Sequence, residues 1–370
     1  MLVPLTIACI TAFVVGLVVT PLLRRAAHRW NITDRPDAVL KPHARPIAYL
    51  GGLGFYLAWV AALAVFQFLD PASRDPRIWL IAGAGGFMLL VGLLDDIRDI
   101  RPWQRLAAEA AAAVLLFVCG ARFLGVPGLP ADNWASIAIA LSVQVVLVIG
   151  ACNSTNLLDG LDGLCGGVSA IVLLGLAALA AGAAGTAWAV GAIHVGNEEL
   201  ARLRMVVVLA GPMAAALAAF LVYNYRPASI FMGDAGSLLL GFVIASLILL
   251  LGLPDWSGLT LAAGGMMVFA EPVADAALAF FRRAINHRPI FSGDRSHFYD
   301  QLVDRGLPVT RVVKLCYAIS AVFAAIGWIG AAWIGTLSGS LALYGAAAAV
   351  VCWLLWKFGF VRVDKTGARD

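Results

Sequence analysis

Residues 235–253 read AGSLLLGFVIASLILLLGL, nineteen positions without one charge. Wound as a helix at about 1.5 Å per residue, a run of this length reaches nearly across the ~30 Å hydrocarbon core of a bilayer. Nothing in it alternates with a period of two. Ala, Leu and Gly dominate, which favours a helix over a barrel strand, because a helix satisfies its own backbone hydrogen bonds in lipid. Outward from this stretch, comparable runs occur at 2–23, 47–69, 78–94, 104–120, 134–152, 165–184, 204–223, 258–281, 313–335 and 337–358, eleven in all. The chain of 370 residues is 62% hydrophobic and 13% charged, with mean hydropathy +0.90, so it is no soluble domain. The predicted fold is an all-α integral membrane protein, one polytopic bundle of about eleven transmembrane helices over 1–370. The first run lacks a basic leading segment and is read as a retained span, not a cleaved signal.

Charge sets the orientation. The loops at 24–46, 95–105 and 282–312, with Arg226, Lys314 and the tail, hold 21 of the 26 basic residues. The positive-inside rule makes that side cytoplasmic, with the N-terminus outside and the C-terminus inside. The net charge of +4 is then a topology signal and implies no nucleic-acid partner. The six cysteines lack CxxC spacing and read as core thiols. No segment between spans is long enough for a soluble domain, and no paired Gly/Pro-interrupted spans mark an inverted repeat. The outward connections are short and plain. All five inward loops carry residues capable of chemistry.

The third run ends GLLDDIRDIRPWQR. If the helix continues, Asp95, Asp96 and Asp99 gather on one side, as a cluster for a divalent cation or proton, or as a solvated acidic cap balanced by Arg98, Arg101 and Arg105. The fifth ends CNSTNLLDGLDGL, residues 152–164, where Gly160 and Gly163 permit turns. Asn153 and Asn156 are neutral oxygen donors there, and Asp159 and Asp162 anionic ones. Few oxygen ligands suit Mg2+ held jointly with substrate phosphates, with Mn2+ as a substitute; a double Asx-Gly turn is the plain alternative. In NYRPASIFMGDAGSL, Asp234 either caps the following helix or holds a ligand, and capping leaves Asn224 and its neighbours unexplained. The fifth loop brings Arg288, Asp294, Arg295 and His297 together, suited to phosphate. In the first loop Lys41, His43 and Gly51-Gly52 either attract an anionic headgroup or set orientation. Glu271 and Asp275 lie four apart within the ninth run, facing a polar cavity or paired with Arg282 or Arg283.

Taken in order, the Lys-x-His loop ending in Gly-Gly, DDIRD, NSTNLLDGLDGL, NYRPASIFMGDAGSL and DRSH resemble the polyprenyl-phosphate N-acetylhexosaminyl-1-phosphate transferase family over residues 34–302. The resemblance implies an enzyme that transfers a sugar 1-phosphate from a UDP-N-acetylhexosamine to a lipid phosphate such as undecaprenyl phosphate, releasing UMP and requiring magnesium. Further spans at 313–358 make the chain similar to the branch that starts O-antigen, common-antigen or teichoic acid assembly, in contrast to the ten-span peptidoglycan branch. By resemblance Asp234 and Asn156 hold the metal and Asp162 lies near uracil. Asp95 and Asp96 meet the lipid phosphate, with Asp95 the candidate base and Asp159 beside the chemistry. Arg295 and His297 bind pyrophosphate or sugar, while Lys41, His43, Asn153 and Asn224 serve substrate binding. A homodimer stays open. Two departures stand out: Tyr299 and Asp300 replace the paired histidines usual after His297, and Ala48 replaces a second proline. A peptidoglycan-type transferase, a lipid pyrophosphate phosphatase and a secondary transporter are the competing readings. The transporter fits least, since its polar residues would lie near the midplane.

Overall fold

The computed structural model describes residues 1–34, 46–118, 120, 133–189, 197–252, 256–286 and 297–361. Their helices are α1 (Leu2–Arg29), α2 (Gly51–Leu69), α3 (Pro76–Arg98), α4 (Pro102–Val118), α5 (Trp134–Leu158), α6 (Leu164–Ala189) and α7 (Asn197–Asn224). Then follow α8 (Gly233–Leu251), α9 (Trp256–Val268), α10 (Ala270–Ile285), α11 (Phe298–Asp304), α12 (Val309–Trp328) and α13 (Leu337–Lys357). A π-helical turn, Ile329–Ile334, extends α12. The two-residue strands β1 (Thr33–Asp34) and β2 (Ile47–Ala48) pair antiparallel, Thr33 opposite Ala48.

The uncharged run that decides the fold is α8, and it is the axis of the bundle: 94% of its apolar window is buried, against 17% for α1 and 11% for α13. A helix that is apolar all round belongs inside other helices, here α2, α3, α5, α6, α7 and α9. The outer helices turn Leu and Val toward lipid instead.

Among the described residues nine helices are long and apolar enough to cross a membrane. The predicted span at 258–281 is broken: α9 and α10 are bent by 63° across Phe269, and counted together as one broken span they bring the described helices of this kind to ten. Pro272 explains the break, because it has no N–H to offer the carbonyl of Val268 four residues back. The predicted span at 104–120 is α4, whose 17 residues extend about 25 Å. Proline also shapes α1, where Pro21 cannot bond the Leu17 carbonyl; the Tyr223 hydroxyl of α7 donates to that oxygen at 2.8 Å. In this way a neighbouring helix restores a bond that lipid could not supply.

The two ends of the bundle differ. At one, Arg77 pairs with Asp75 at 2.6 Å and with Glu198, and buried Arg202 donates to the Leu249 carbonyl at 3.2 Å, where the C-terminal end of α8 favours a cation. At the other end all five loops predicted to share a side converge. Ala48 bridges Ile230, Asp96 meets Asp234, Asn156 meets Asp234, and Tyr299 reaches Leu157. Of the described cysteines Cys152, Cys165 and Cys316 are buried, Cys9 is half-buried and Cys352 is exposed; all five are free thiols.

Candidate active site

The site is built where the C-terminal end of α3 crosses the N-terminal end of α8. Gly92 permits the approach, since a Cβ there would strike the Asp234 carbonyl. Gly233 has φ +68°, and a side chain on it would meet the Asp96 carboxylate. That carboxylate accepts from Asp234 N at 2.8 Å and from Ala235 N at 3.1 Å. Asp96 therefore caps α8 from a neighbouring helix, and the cap that the sequence allowed Asp234 to supply is already in place.

Relieved of capping, the Asp234 carboxylate accepts from Asn156 Nδ2 at 2.7 Å through Oδ1. Asn156 also donates to Ser237 Oγ at 3.1 Å. The amide nitrogen of Asn156 faces Asp234, so Asn156 orients that carboxylate and its own Oδ1 is the atom left to meet a cation. Asp234 Oδ2 lies 3.8 Å from Arg105 Nη1, which is 3.4 Å from Asp95 Oδ2. The other Asp95 oxygen accepts from Ile100 N at 3.0 Å. Arg105 is thus the cation that the acidic end itself supplies. Its Nη2 donates to Asn153 Oδ1 at 3.4 Å, and Asn153 Nδ2 donates to Glu109 Oε2 at 2.9 Å.

Glu109 and the central place of Arg105 are what the sequence reading missed. The only signal was a lone carboxylate in the apolar run AAEAAAA at 107–113, and Glu109 is fully buried. Asp99 is a correction: α3 stops at Arg98, and Asp99 turns left-handed at φ 52°, so it leaves the face on which Asp95 and Asp96 lie.

Asp159 caps the C-terminal end of α5, and burial, then the charges of Asp234, Asp96 and Asp162, push its carboxyl up to about 8. Asp162 Oδ2 accepts from Ala228 N at 3.1 Å. Buried Asn224 accepts from Gly163 N at 3.0 Å and donates to the Ile230 carbonyl at 2.9 Å, so both ends of its amide bind main chain. Gly163, at φ +79°, makes the predicted turn. Gly160 lacks the positive φ expected of it; a Cβ there would collide with the Tyr299 ring, and close approach is its reason. Gly51 N and Gly52 N donate to the carbonyls of Phe231 and Met232 at 2.9 and 3.1 Å, tying the first loop to the fourth. Beside them, burial and then Asp34 raise the Tyr49 phenol.

His297 is buried at the start of α11, its Nδ1 2.8 Å from Asp275 Oδ2 and its ring stacked on Tyr299 at 5.4 Å. Lys41, His43 and Arg295, with Arg288 and Asp294, lie outside the described residues.

Asp95, Asp96, Asn153, Asn156 and Asp234 are thus brought into one network around Arg105, with Asp159 in its field and Asp162 and Asn224 bracing the adjoining turns. Among the described residues no group of three or more His, Cys, Asp or Glu forms a cage for a metal. The donor set is all oxygen, and the Asp234 side chain keeps 36% of its surface open. That chemistry fits Mg2+, which takes one or two carboxylates and completes its shell with phosphates and water.

The sequence pattern of Glycosyl transferase family 4 matches residues 78–252, from α3 to the end of α8. A probable undecaprenyl-phosphate N-acetylglucosaminyl 1-phosphate transferase of Bacillus subtilis is 29% identical over 86% of this chain and 83% of its own length. A putative glycosyltransferase of Streptomyces coelicolor is 30% identical over 91% of this chain and 75% of its own. A phospho-N-acetylmuramoyl-pentapeptide-transferase of Desulfotalea psychrophila is 27% identical over 85% and 89%. With the same helices carrying the acidic network and the matched segment, the chain belongs to glycosyl transferase family 4, the polyprenyl-phosphate sugar-1-phosphate transferases.

Proposed function

We propose that the protein transfers an N-acetylhexosamine 1-phosphate from a UDP-sugar to undecaprenyl phosphate, releasing UMP and starting a lipid-linked surface glycan such as O-antigen. The observation that carries this reading is the convergence of Asp95, Asp96, Asn156 and Asp234 at one end of the bundle, with Arg105 between Asp95 and Asp234. There a donor from water and an acceptor from the bilayer can meet. A phosphate oxygen of the lipid attacks the β-phosphorus, the bond to UMP breaks, and UMP leaves with the electron pair. Such a step needs two polyanions held in line and their charge offset, more than it needs covalent help from the protein.

Mg2+, when bound, neutralises pyrophosphate charge. Asp234, oriented by Asn156, is the residue to hold it, with Asn156 Oδ1 beside. Asp96 keeps the α8 amides in place. Asp95 faces the acceptor phosphate, and Arg105 attracts both phosphates while limiting repulsion between the carboxylates. Asp162 borders the nucleotide, Asp159 is the acidic group that can hold or release a proton near neutrality, and His297 and Arg295 face the pyrophosphate or sugar. Lys41, His43, Asn153 and Asn224 complete the substrate loops. The same polar end suits a muramoyl-pentapeptide donor, and the similarity to such a transferase keeps that second reading in the test.

Purified protein is incubated with undecaprenyl phosphate, Mg2+ and, in turn, UDP-N-acetylglucosamine, UDP-N-acetylgalactosamine and UDP-N-acetylmuramoyl-pentapeptide. The expected product is an undecaprenyl-diphosphate N-acetylhexosamine, identified by mass, with one UMP per transfer. Product only from the muramoyl-pentapeptide donor would move the protein to the peptidoglycan branch. Inorganic phosphate without a sugar-bearing lipid would make it a phosphatase.

A further inference from the structure

Asp275 lies within a membrane-spanning helix, α10, where an ionisable side chain calls for a specific partner. It has two. Oδ2 lies 2.8 Å from His297 Nδ1, and Oδ1 accepts from Phe298 N at 2.6 Å, so one buried carboxylate grips both the ring and the first amide of α11. The other face of the ring is set by Tyr299, stacked at 5.4 Å with 8° between planes. The Tyr299 hydroxyl donates to the Leu157 carbonyl at 2.8 Å, and its ring occupies the space that Gly160 leaves beside Asp159.

The geometry points to Asp275 as a positioning residue for sugar-phosphate transfer, holding His297 with its proton on Nδ1 and Nε2 turned to substrate, while Tyr299 locks this pair to the loop that bears Asp159. An ionised carboxylate only accepts, so the nitrogen facing it carries the proton, and Nε2 is the nitrogen left to meet a phosphate or sugar group. The same division of labour holds wherever a carboxylate orients a working histidine. Tyr299, one of the two departures noted in DRSHFYD, gains a purpose here, because a side chain with a ring to stack and a hydroxyl to reach Leu157 joins α11 to α5.

The inference rests on the transferase reading for its kinetic arm only. Histidine is labelled with 15N in the whole protein, which has five histidines, and the His297 signals are assigned by their loss in His297→Ala. The wild type should show a proton on Nδ1 of His297. In Asp275→Asn, whose amide can donate to Nδ1, the proton should leave Nδ1. Turnover should fall by about tenfold to a hundredfold in Asp275→Asn and in His297→Ala, the range of a lost acid–base or phosphate-binding group. KM for the lipid should stay within about threefold, and the double variant should be no slower than His297→Ala, since the two residues act as one unit. A His297 without a proton on Nδ1 in the wild type overturns the proposal even if Asp275→Asn does not fold. So does wild-type turnover in Asp275→Asn, or an equal further loss when that change is added to His297→Ala. A protein that transfers no sugar phosphate at all would sink the transferase reading, with the tautomer measurement still deciding whether Asp275 orients His297.

Discussion

Asp96 and Asp234 meet at the same helix end, and what separates their roles is what their oxygens hold. Asp96 binds two main-chain amides of α8, whereas Asp234 meets an amide side chain and a guanidinium. The pair DD and the motif MGDAG were readable as acidic residues near a membrane face; which of them caps was not, because capping from another helix leaves no trace in sequence spacing. Arg105 was read as a mere counter-charge, since its neighbours Asp95, Asn153 and Asp234 come from α3, α5 and α8 only after folding. Asp159 yields a pH prediction. With its carboxyl pushed up to about 8, the folded protein keeps a proton that the unfolded chain loses near pH 4. Its contribution to stability is therefore complete below about pH 4 and drains away as pH rises to about 8, where it levels off. Thermal melts of the metal-free protein in detergent should show stability falling between pH 5 and 8. The fall should be shallower in Asp159→Asn; an unchanged slope would remove Asp159 from the titration.

At the scale of elements, the spans themselves were legible, because an uncharged run of nineteen residues such as 235–253 has few other stable forms. Two breaks were not. The bend between α9 and α10 lies inside a continuous apolar run, and its cause, Pro272 beside Phe269, is a local backbone effect that hydropathy does not register. Likewise α3 ends at Arg98, and Pro102 four residues on marks a nearby boundary without fixing whether Asp99 is still helical. The contact of α3 with α8 rests on Gly92, where a Cβ would meet the Asp234 carbonyl, while Gly83 on the same helix has nothing within 4 Å of an added Cβ. Gly92→Ala should cost about 1–3 kcal/mol, the usual range for overpacking a tight site, and should weaken catalysis by shifting Asp234 from Asp96. Gly83→Ala should be neutral or slightly stabilising, since alanine is the better helix former. Thermal melts and transfer rates of the two variants check this; equal melting points would mean that the helices separate without penalty.

For the whole molecule, the gathering of five loops at one end was legible from their shared polarity, and the contacts of Ala48, Asp96, Asn156 and Tyr299 bear it out. The basic asymmetry predicts that this end faces the cytoplasm. Reporter fusions at Gly128 and Asp370 should report periplasm and cytoplasm respectively, and the same side for both would make the number of crossings between those points even. Donor and acceptor are proposed to meet at this end with separate holders, and that division is open to direct test. Calorimetric titration with the UDP-N-acetylhexosamine that proves active, with and without Mg2+, is run on Asp234→Asn and Asp95→Asn. Each should lose about 10²-fold or more in turnover, the scale of a lost electrostatic contact at the reacting centre. Asp234→Asn should lose Mg2+-dependent donor binding, while Asp95→Asn should keep it at wild-type strength. Equal loss of donor binding in both variants would contradict the division and make the carboxylates a single metal cluster.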